Sequence, residues 1–104
     1  MRINEIWNKK KLRKDLIKIF SNNKKIKKVV LFGSRAKENF KNGSDIDIAL
    51  YGEVLNINDI VSIQVEIEKL EIPYGIDLII YNKIDSKELK EHIDRVGKIL
   101  YKRD

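Results

Sequence analysis

Three aspartates occupy positions where their carboxylates could act together. Asp45 and Asp47 flank one residue in the run DIDIALY, and Asp77 lies in a later run, GIDLIIY. Residues two apart in a β-strand face the same way, roughly 6.6 Å apart, so the pair can reach one site. Such carboxylates repel each other unless a cation joins them, and Mg²⁺ prefers hard oxygen ligands shared with substrate phosphates. The spacing therefore indicates a magnesium site suited to phosphoryl or nucleotidyl transfer.

A Gly-Ser turn precedes this pair in the chain. Gly33 and Ser34 directly follow the apolar run Val29 to Phe32. A glycine there lets the backbone approach a bulky anion, and a serine opening a helical turn offers its hydroxyl and free N–H groups to phosphate oxygens. Gly-Ser alone is usually an ordinary turn, and an isolated Asp-x-Asp usually begins a strand at a solvent edge. Their coincidence with Asp77 favours a combined metal and phosphate site.

Two other motifs are excluded by the residues present. An EF-hand would require an acidic or amide residue and then glycine after Asp47 and Ile48, but Ala49 and Leu50 stand there. A Walker A loop would require Gly-Lys-Ser/Thr, which the chain lacks.

Hydrophobic periodicity predicts the elements that position these residues. Val29 to Phe32 are all apolar, which predicts a central strand buried on both faces. Alternation in the next strand places Ile46, Ile48 and Leu50 opposite the two aspartates. The predicted elements are a helix from Asn8 to Phe20, a strand from Ile26 to Phe32, a helical turn from Arg35 to Glu38, a strand from Asp45 to Tyr51, a helix from a cap at Asn58 through Leu70, a strand from Ile76 to Tyr81, and a helix from Asp85, with Glu88 completing a capping box, through Leu100. The order α-β-(short α)-β-α-β-α predicts an α/β or α+β domain on a small sheet.

Composition restricts the class of protein. The 104 residues are 42% hydrophobic and 37% charged, which predicts a single globular domain spanning 1–104, too small to add a large substrate-binding domain. Cysteine is absent, and no apolar run suggests a signal peptide or a membrane span, so we expect a cytoplasmic protein. Residues 1–41 carry 14 Lys and Arg against three acidic residues. Nucleic acid could bind this basic half, but a solvated lysine-rich surface is the favoured interpretation.

These motifs together support a resemblance to a known family. Gly33-Ser34, ten residues and then Asp45-Ile46-Asp47, with Asp77 downstream, resembles the signature of the DNA polymerase beta superfamily of nucleotidyltransferases. The small size and the GSRA start resemble its minimal (MNT) branch, and the ending HIDRVGKILY is similar to the closing helix of many such proteins. The resemblance implies a small mixed β-sheet flanked by helices, two Mg²⁺ ions, and transfer of AMP from ATP to a hydroxyl with loss of pyrophosphate.

The resemblance also assigns roles to residues. Gly33 and Ser34 would bind the triphosphate, with Arg35 as a further contact and Lys37 as a surface residue. Asp45 and Asp47 would hold both metal ions, whereas Asp77 would hold one and help to deprotonate the acceptor hydroxyl.

Members of this size usually neutralise a HEPN ribonuclease toxin, by adenylylating a tyrosine near its active site. The resemblance therefore implies a HEPN toxin as partner and acceptor. Two alternatives stay open: a non-catalytic antitoxin that acts by binding alone, and the nucleotide-donating half of an aminoglycoside-type nucleotidyltransferase.

Isolated aromatic side chains and the one histidine leave the adenine pocket unassigned. For His92 a surface or packing role is favoured over that of a base or ligand. Trp7 and Tyr101 are interpreted as covering a core edge. A base could stack on one of three tyrosines at strand ends, Tyr51, Tyr74 and Tyr81.

Overall fold

The computed structural model describes residues 9–32, 45–72 and 75–103. Its elements, in chain order, are α1 (Lys9–Ser21), β1 (Lys28–Phe32), β2 (Asp45–Tyr51), α2 (Ile57–Glu68), β3 (Gly75–Ile80), a 3₁₀ turn (Tyr81–Lys83), α3 (Lys87–Val96) and β4 (Lys98–Lys102). The helical turn predicted between Arg35 and Glu38 lies outside the described residues. None of the described helices is long and apolar enough to cross a membrane.

The four strands form one mixed sheet in the order β3-β2-β1-β4. β1 is antiparallel to both of its neighbours, and β2 and β3 are parallel. The interior position predicted for β1 is therefore confirmed. The strand begins at Lys28 rather than at Ile26, which is buried in the preceding connection.

Alternating side chains along the strands fill two separate cores. On one face, Ile46, Ile48 and Leu50 of β2 pack with side chains of α1 and α2, among them Phe20 and Ile63. On the other face, a smaller cluster joins the sheet to α3 through Val30, Phe32, Ala49 and Ile93. The predicted alternation in β2 is confirmed, and the two faces are covered by different helices.

The C-terminal prediction was wrong beyond Val96, where α3 ends and the chain enters β4. Gly97 follows with extended backbone, φ −67° and ψ 148°, and its N–H donates to the Ile93 carbonyl. Apolar residues at 93, 96 and 100 imitate helical spacing, but the chain from 98 onward is needed to pair with the free edge of β1. Arg103 secures this strand, because its side chain donates to the carbonyls of Ser21 at 2.9 Å and Ile26 at 3.1 Å.

Both predicted helix caps were misplaced. The cap of α2 is Asn56 rather than Asn58: its side chain accepts from the Asn58 and Asp59 N–H groups, and the Asp59 carboxylate accepts from the Asn56 N–H at 2.9 Å. The cap of α3 is Ser86, one residue after the predicted Asp85, and its hydroxyl accepts from the Leu89 N–H at 3.1 Å. Several consecutive polar residues precede each helix, so sequence alone does not select the one with the required backbone conformation.

Asp59 does more than cap α2. Its carboxylate also accepts from the Asn23 amide at 3.1 Å and from the Lys25 ammonium at 3.3 Å, which ties α2 to the connection between α1 and β1. The hydrogen bond from the Asn56 backbone, helped by these two partners and opposed by burial, lowers the pKa of Asp59 below its ordinary value of 3.8.

Replacing this carboxylate should destabilise the fold. We expect Asp59→Ala to lower the free energy of unfolding by about 1–2 kcal/mol, because several donors lose their acceptor. Since the folded-state pKa is lowered, the contribution is complete above about pH 5 and is lost as the pH falls through the lowered pKa. Urea unfolding at pH 7 and pH 3 measures this, with the exposed Asp85→Ala as control. An equal cost at both pH values would contradict the assignment.

A side chain at position 97 should also be costly. A Cβ on Gly97 would clash with the Val30 side chain and with the Ile93 carbonyl oxygen, so helix and strand would have to separate. We expect Gly97→Ala to cost about 1–3 kcal/mol of unfolding free energy. Thermal unfolding checks this against Glu91→Ala, an exposed position of α3 where alanine should cost little.

Candidate active site

Two of the three predicted aspartates lie side by side on neighbouring strands. Asp47 of β2 stands directly opposite Asp77 of β3 in the parallel register. Neighbouring strands lie about 4.8 Å apart, and paired residues face the same side, so the two carboxylates share one site. Asp47 is half-buried and Asp77 is exposed, which makes the site open to solvent from the β3 edge.

The site lies at one end of the face covered by α3. Phe32 of β1 stands opposite Asp47 on its other side, so Phe32, Asp47 and Asp77 form a row across three strands. The buried Phe32 ring makes an edge contact with the His92 ring of α3, with centroids 6.4 Å apart and planes at 78°. The predicted packing role of His92 is confirmed. The contact places the imidazole beside Phe32, a pairing that sequence spacing does not indicate.

The remaining predicted site residues stay predictions. Asp45 opens β2 and is paired with Gly75 in the register, but its side chain is outside the described part of the chain. Gly33, Ser34, Arg35 and Lys37 lie outside the described residues as well. Among the described side chains, no group of three or more histidines, cysteines and acids is assembled. The structure therefore brings together Asp47 and Asp77.

The chemistry of this pair suits a hard divalent cation. Like charges directly opposite each other on neighbouring strands disfavour the folded state. A cation bound between them reverses that effect, and two carboxylates with several waters match the ligand set of Mg²⁺. A thiolate metal site is excluded, because the chain has no cysteine. The donor set of Asp47 and Asp77 thus fits the magnesium implied by the sequence.

The sequence model of a known family accounts for this arrangement. The model described as polymerase beta, nucleotidyltransferase matches residues 14–104. The chain belongs to this nucleotidyltransferase family. No curated protein matches the chain.

Solved structures of toxin–antitoxin complexes share the fold of this nucleotidyltransferase. A toxin–antitoxin structure with AMP-PNP is 25% identical, with a TM-score of 0.73, over 88% of this chain and 74% of that chain. A tri-AMPylated Shewanella oneidensis HEPN toxin in complex with its MNT antitoxin is 24% identical, with a TM-score of 0.67, over 90% and 72% of the respective chains. An MntA–HepT complex is 23% identical, with a TM-score of 0.69, over 91% and 74%. At the identities of the last two, the likeness concerns the fold.

Two tyrosines of the nucleotidyltransferase, Tyr51 and Tyr81, contact each other at the opposite end of β2 and β3 from Asp47 and Asp77. Tyr51 and Tyr81 stack on each other with centroids 4.2 Å apart, and the Tyr81 hydroxyl donates to Asp94 at 2.9 Å. The Lys28 ammonium lies 4.4 Å from the Tyr51 ring centroid. Burial, reinforced by the negative charge that Tyr81 and Asp94 can carry, raises the pKa of Tyr51 to about 12. These two rings therefore stabilise the sheet end rather than the surroundings of Asp47, and Tyr74 is outside the described residues.

A cavity of about 390 Å³ opens beside this tyrosine pair. It is lined by Lys25, Lys27, Tyr51, Gly52, Glu53, Val54 and Asn82. Asn82 closes one wall, because its side-chain oxygen accepts from the Gly52 N–H at 2.9 Å. β2 separates this cavity from Asp47 by four residues, roughly 13 Å, so the cavity does not belong to the acidic site.

The carboxylate pair makes a prediction that is independent of catalysis. We expect Mg²⁺ to raise the melting temperature of the nucleotidyltransferase, because a cation bound only by the folded state at tenfold its Kd adds about 1.4 kcal/mol. Asp47→Asn and Asp77→Asn should each abolish most of this shift, whereas the remote Asp85→Asn should retain it. Differential scanning fluorimetry over a magnesium titration measures the effect. An unchanged shift in both site variants would place the cation elsewhere.

Proposed function

We propose that the chain uses Mg²⁺ and ATP to transfer AMP to a hydroxyl, most simply that of a tyrosine, on a HEPN toxin, and that it acts as the antitoxin of that toxin. The observation that carries the proposal is the pairing of Asp47 with Asp77 across β2 and β3, within a chain of the nucleotidyltransferase family. Two acids at one open end of a sheet provide the oxygen ligands and the proton acceptor that nucleotidyl transfer requires.

Each of the predicted residues has a defined role in this proposal. Asp45 and Asp47 would hold two Mg²⁺ ions, and Asp77 would share one of them. When bound, the metal ions would neutralise the triphosphate and the charge that develops on the attacking and leaving oxygens. Gly33 and Ser34, with Arg35 as a further contact, would hold the triphosphate tail through N–H groups and side chains.

Transfer itself needs a proton acceptor and an in-line approach. The acceptor oxygen would form a bond to the α-phosphorus of ATP while the bond from that phosphorus to the pyrophosphate oxygen breaks. Asp77 would take the hydroxyl proton, since it is exposed at the β3 side of the site and can be reached by a side chain from another molecule. Asp47, half-buried beside Phe32, is less accessible to another molecule and suits a purely ligating role.

The nature of the acceptor is inferred from the relatives and from the openness of the site. One similar structure contains AMP-PNP with a toxin–antitoxin pair, and another contains a HEPN toxin carrying three AMP groups bound to its MNT antitoxin. We propose that residues 1–104 act as one catalytic domain and that the partner supplies the acceptor hydroxyl. Because ATP would be the donor and a ribonuclease toxin the acceptor, we propose that the reaction takes place in the cytoplasm.

Mass measurement tests the proposal directly. The purified chain is incubated with the protein encoded beside it, Mg²⁺ and ATP, and that protein is weighed by intact mass spectrometry. We expect the partner to gain one or more AMP units. Asp45→Asn, Asp47→Asn and Asp77→Asn should each reduce the rate by at least about 100-fold, because each removes a ligand or the proton acceptor.

A matched control separates chemistry from folding. Asp85→Asn makes the same change at an exposed position outside the sheet and should leave the rate unchanged. Toxin inhibition that persists in all three site variants without any mass change would favour an antitoxin that acts by binding alone. Transfer to a small molecule rather than to the toxin would favour the aminoglycoside-type alternative.

A further inference from the structure

An apolar stripe runs along the outer surface of α2. Ile57, Val61 and Val65 lie at i, i+4 and i+8, and their exposed fractions are 68%, 55% and 47%. Val54, just before the helix, is 65% exposed. These four residues, called here the α2 stripe, account for four of the five large hydrophobic side chains that are exposed in the described part of the chain. Residues at this spacing form one ridge on a helix surface, so the exposure is concentrated.

The α2 stripe is remote from the acidic site. α2 packs on the face of the sheet that also carries α1, whereas Asp47 and Phe32 face the side covered by α3. A molecule that delivers a hydroxyl to Asp77 would therefore approach the face of the sheet that α3 covers, and not the face that α2 covers. A molecule bound to the α2 stripe would therefore occupy a different surface from the acceptor, and the two need not be the same molecule.

The exposed area is of the size that a stable association uses. The four side chains expose on the order of 400 Å² of apolar surface, at the scale of the largest patch on an ordinary monomer. A standard interface buries about 800 Å² per partner, of which roughly 450 Å² is apolar. The α2 stripe alone thus supplies about the apolar area that one side of such an interface requires.

The pattern along α2 is complementary to itself when reversed. Ile57 lies four residues before Val61, and Val65 lies four residues after it. Two copies of α2 packed antiparallel about a two-fold axis at Val61 would place Val61 against Val61 and Ile57 against Val65. Ridges of i±4 spacing pack into each other at about −50°, the commonest class of helix contact.

The charges on α2 favour the same orientation. Glu66 and Glu68 lie in its last turn, which has no basic residue, whereas α1 and α3 end with Lys18 and Arg95. Acidic side chains there oppose the helix macrodipole, but they favour the N-terminus of an antiparallel neighbour.

We propose that the α2 stripe is the interface between two copies of this chain, packed antiparallel through α2 about a two-fold axis at Val61. The proposal does not rest on the reaction catalysed. It leaves the acidic sites of the two copies on outward faces, each free to meet its own acceptor.

Single cysteines test both the surface and the orientation, because the natural chain has none. Val61→Cys should form a disulfide-linked dimer under mild oxidation, since residues on the axis come within bonding distance. Ile57→Cys and Val65→Cys should each cross-link poorly alone and efficiently when the two variants are mixed. Non-reducing gel electrophoresis, with sedimentation of the unmodified chain, measures these outcomes.

The neighbouring residue provides a matched control. Ser62→Cys places a thiol at an exposed position one step around the helix, and we expect it to cross-link at least tenfold more slowly than Val61→Cys. Equal rates for the two thiols would indicate random collision and overturn the proposal. A chain that sediments as a monomer at about 100 μM while Val61→Lys abolishes binding of the HEPN partner would also overturn it, and would assign the stripe to the toxin.

Ile99 offers a second control for general surface effects. It is 53% exposed on β4, an edge strand away from α2. Ile99→Lys should leave the dimer intact, whereas Val61→Lys should raise the dimer Kd by at least about tenfold, because a lysine would be buried at the centre of the interface. Since Val61 is more than half exposed in the single chain, this change leaves the fold in place.

Discussion

The parallel register between β2 and β3 is the constraint on which the candidate site depends. It sets Asp47 opposite Asp77, and it is fixed by side chains on the other face of the same two strands. Ile46 pairs with Ile76, and Ile48 pairs with Leu78, within the core covered by α1 and α2. A slip of one residue would turn this apolar set toward α3 and the acids toward the core, which is strongly disfavoured.

The helix that covers this core also holds β3 in place. The Gln64 side chain of α2 donates to the Ile76 carbonyl at 2.9 Å, directly beside the acidic pair in sequence. α2 is in turn attached to the α1–β1 connection through Asp59, Asn23 and Lys25. The position of Asp77 is therefore set by contacts on the face opposite the candidate site. Asp77 can therefore stay opposite Asp47 although its own exposed side chain contributes nothing to the apolar core.

Local sequence pattern predicted most of the helices and strands, but it did not predict β4, the strand that pairs with the outer edge of β1. Strict alternation in β2 and the apolar run of β1 are properties of each segment alone, so both strands were predicted; the bounds of β2 agree at both ends, and β1 begins two residues later than predicted. The segment after Gly97 carries a pattern compatible with helix and strand alike. Its state is decided by the unpaired edge of β1, a long-range requirement that no window of sequence contains.

The candidate site shows the same division. The Asp-x-Asp spacing, and the presence of a further aspartate in an apolar run, could be read from the chain, and two of these residues are brought together. The choice of Asp77 among the later acids depended on the strand pattern around it. The contact of His92 with Phe32, and the pairing of Tyr51 with Tyr81, join elements that are distant in sequence, and residue types alone do not predict them.

The two faces of the sheet differ in structural role. One core, with α1 and α2, fixes the strand register and presents the apolar ridge of α2 outward. The other core is thinner, because α3 contributes one fully buried side chain, Ile93, and it ends at the row formed by Phe32, Asp47 and Asp77. Leaving the second face partly uncovered costs hydrophobic stabilisation, yet it keeps the Asp77 carboxylate accessible to solvent and to other molecules. The exposure of the second face does not weaken the β2–β3 register, because the buried side chains that fix this register lie on the first face.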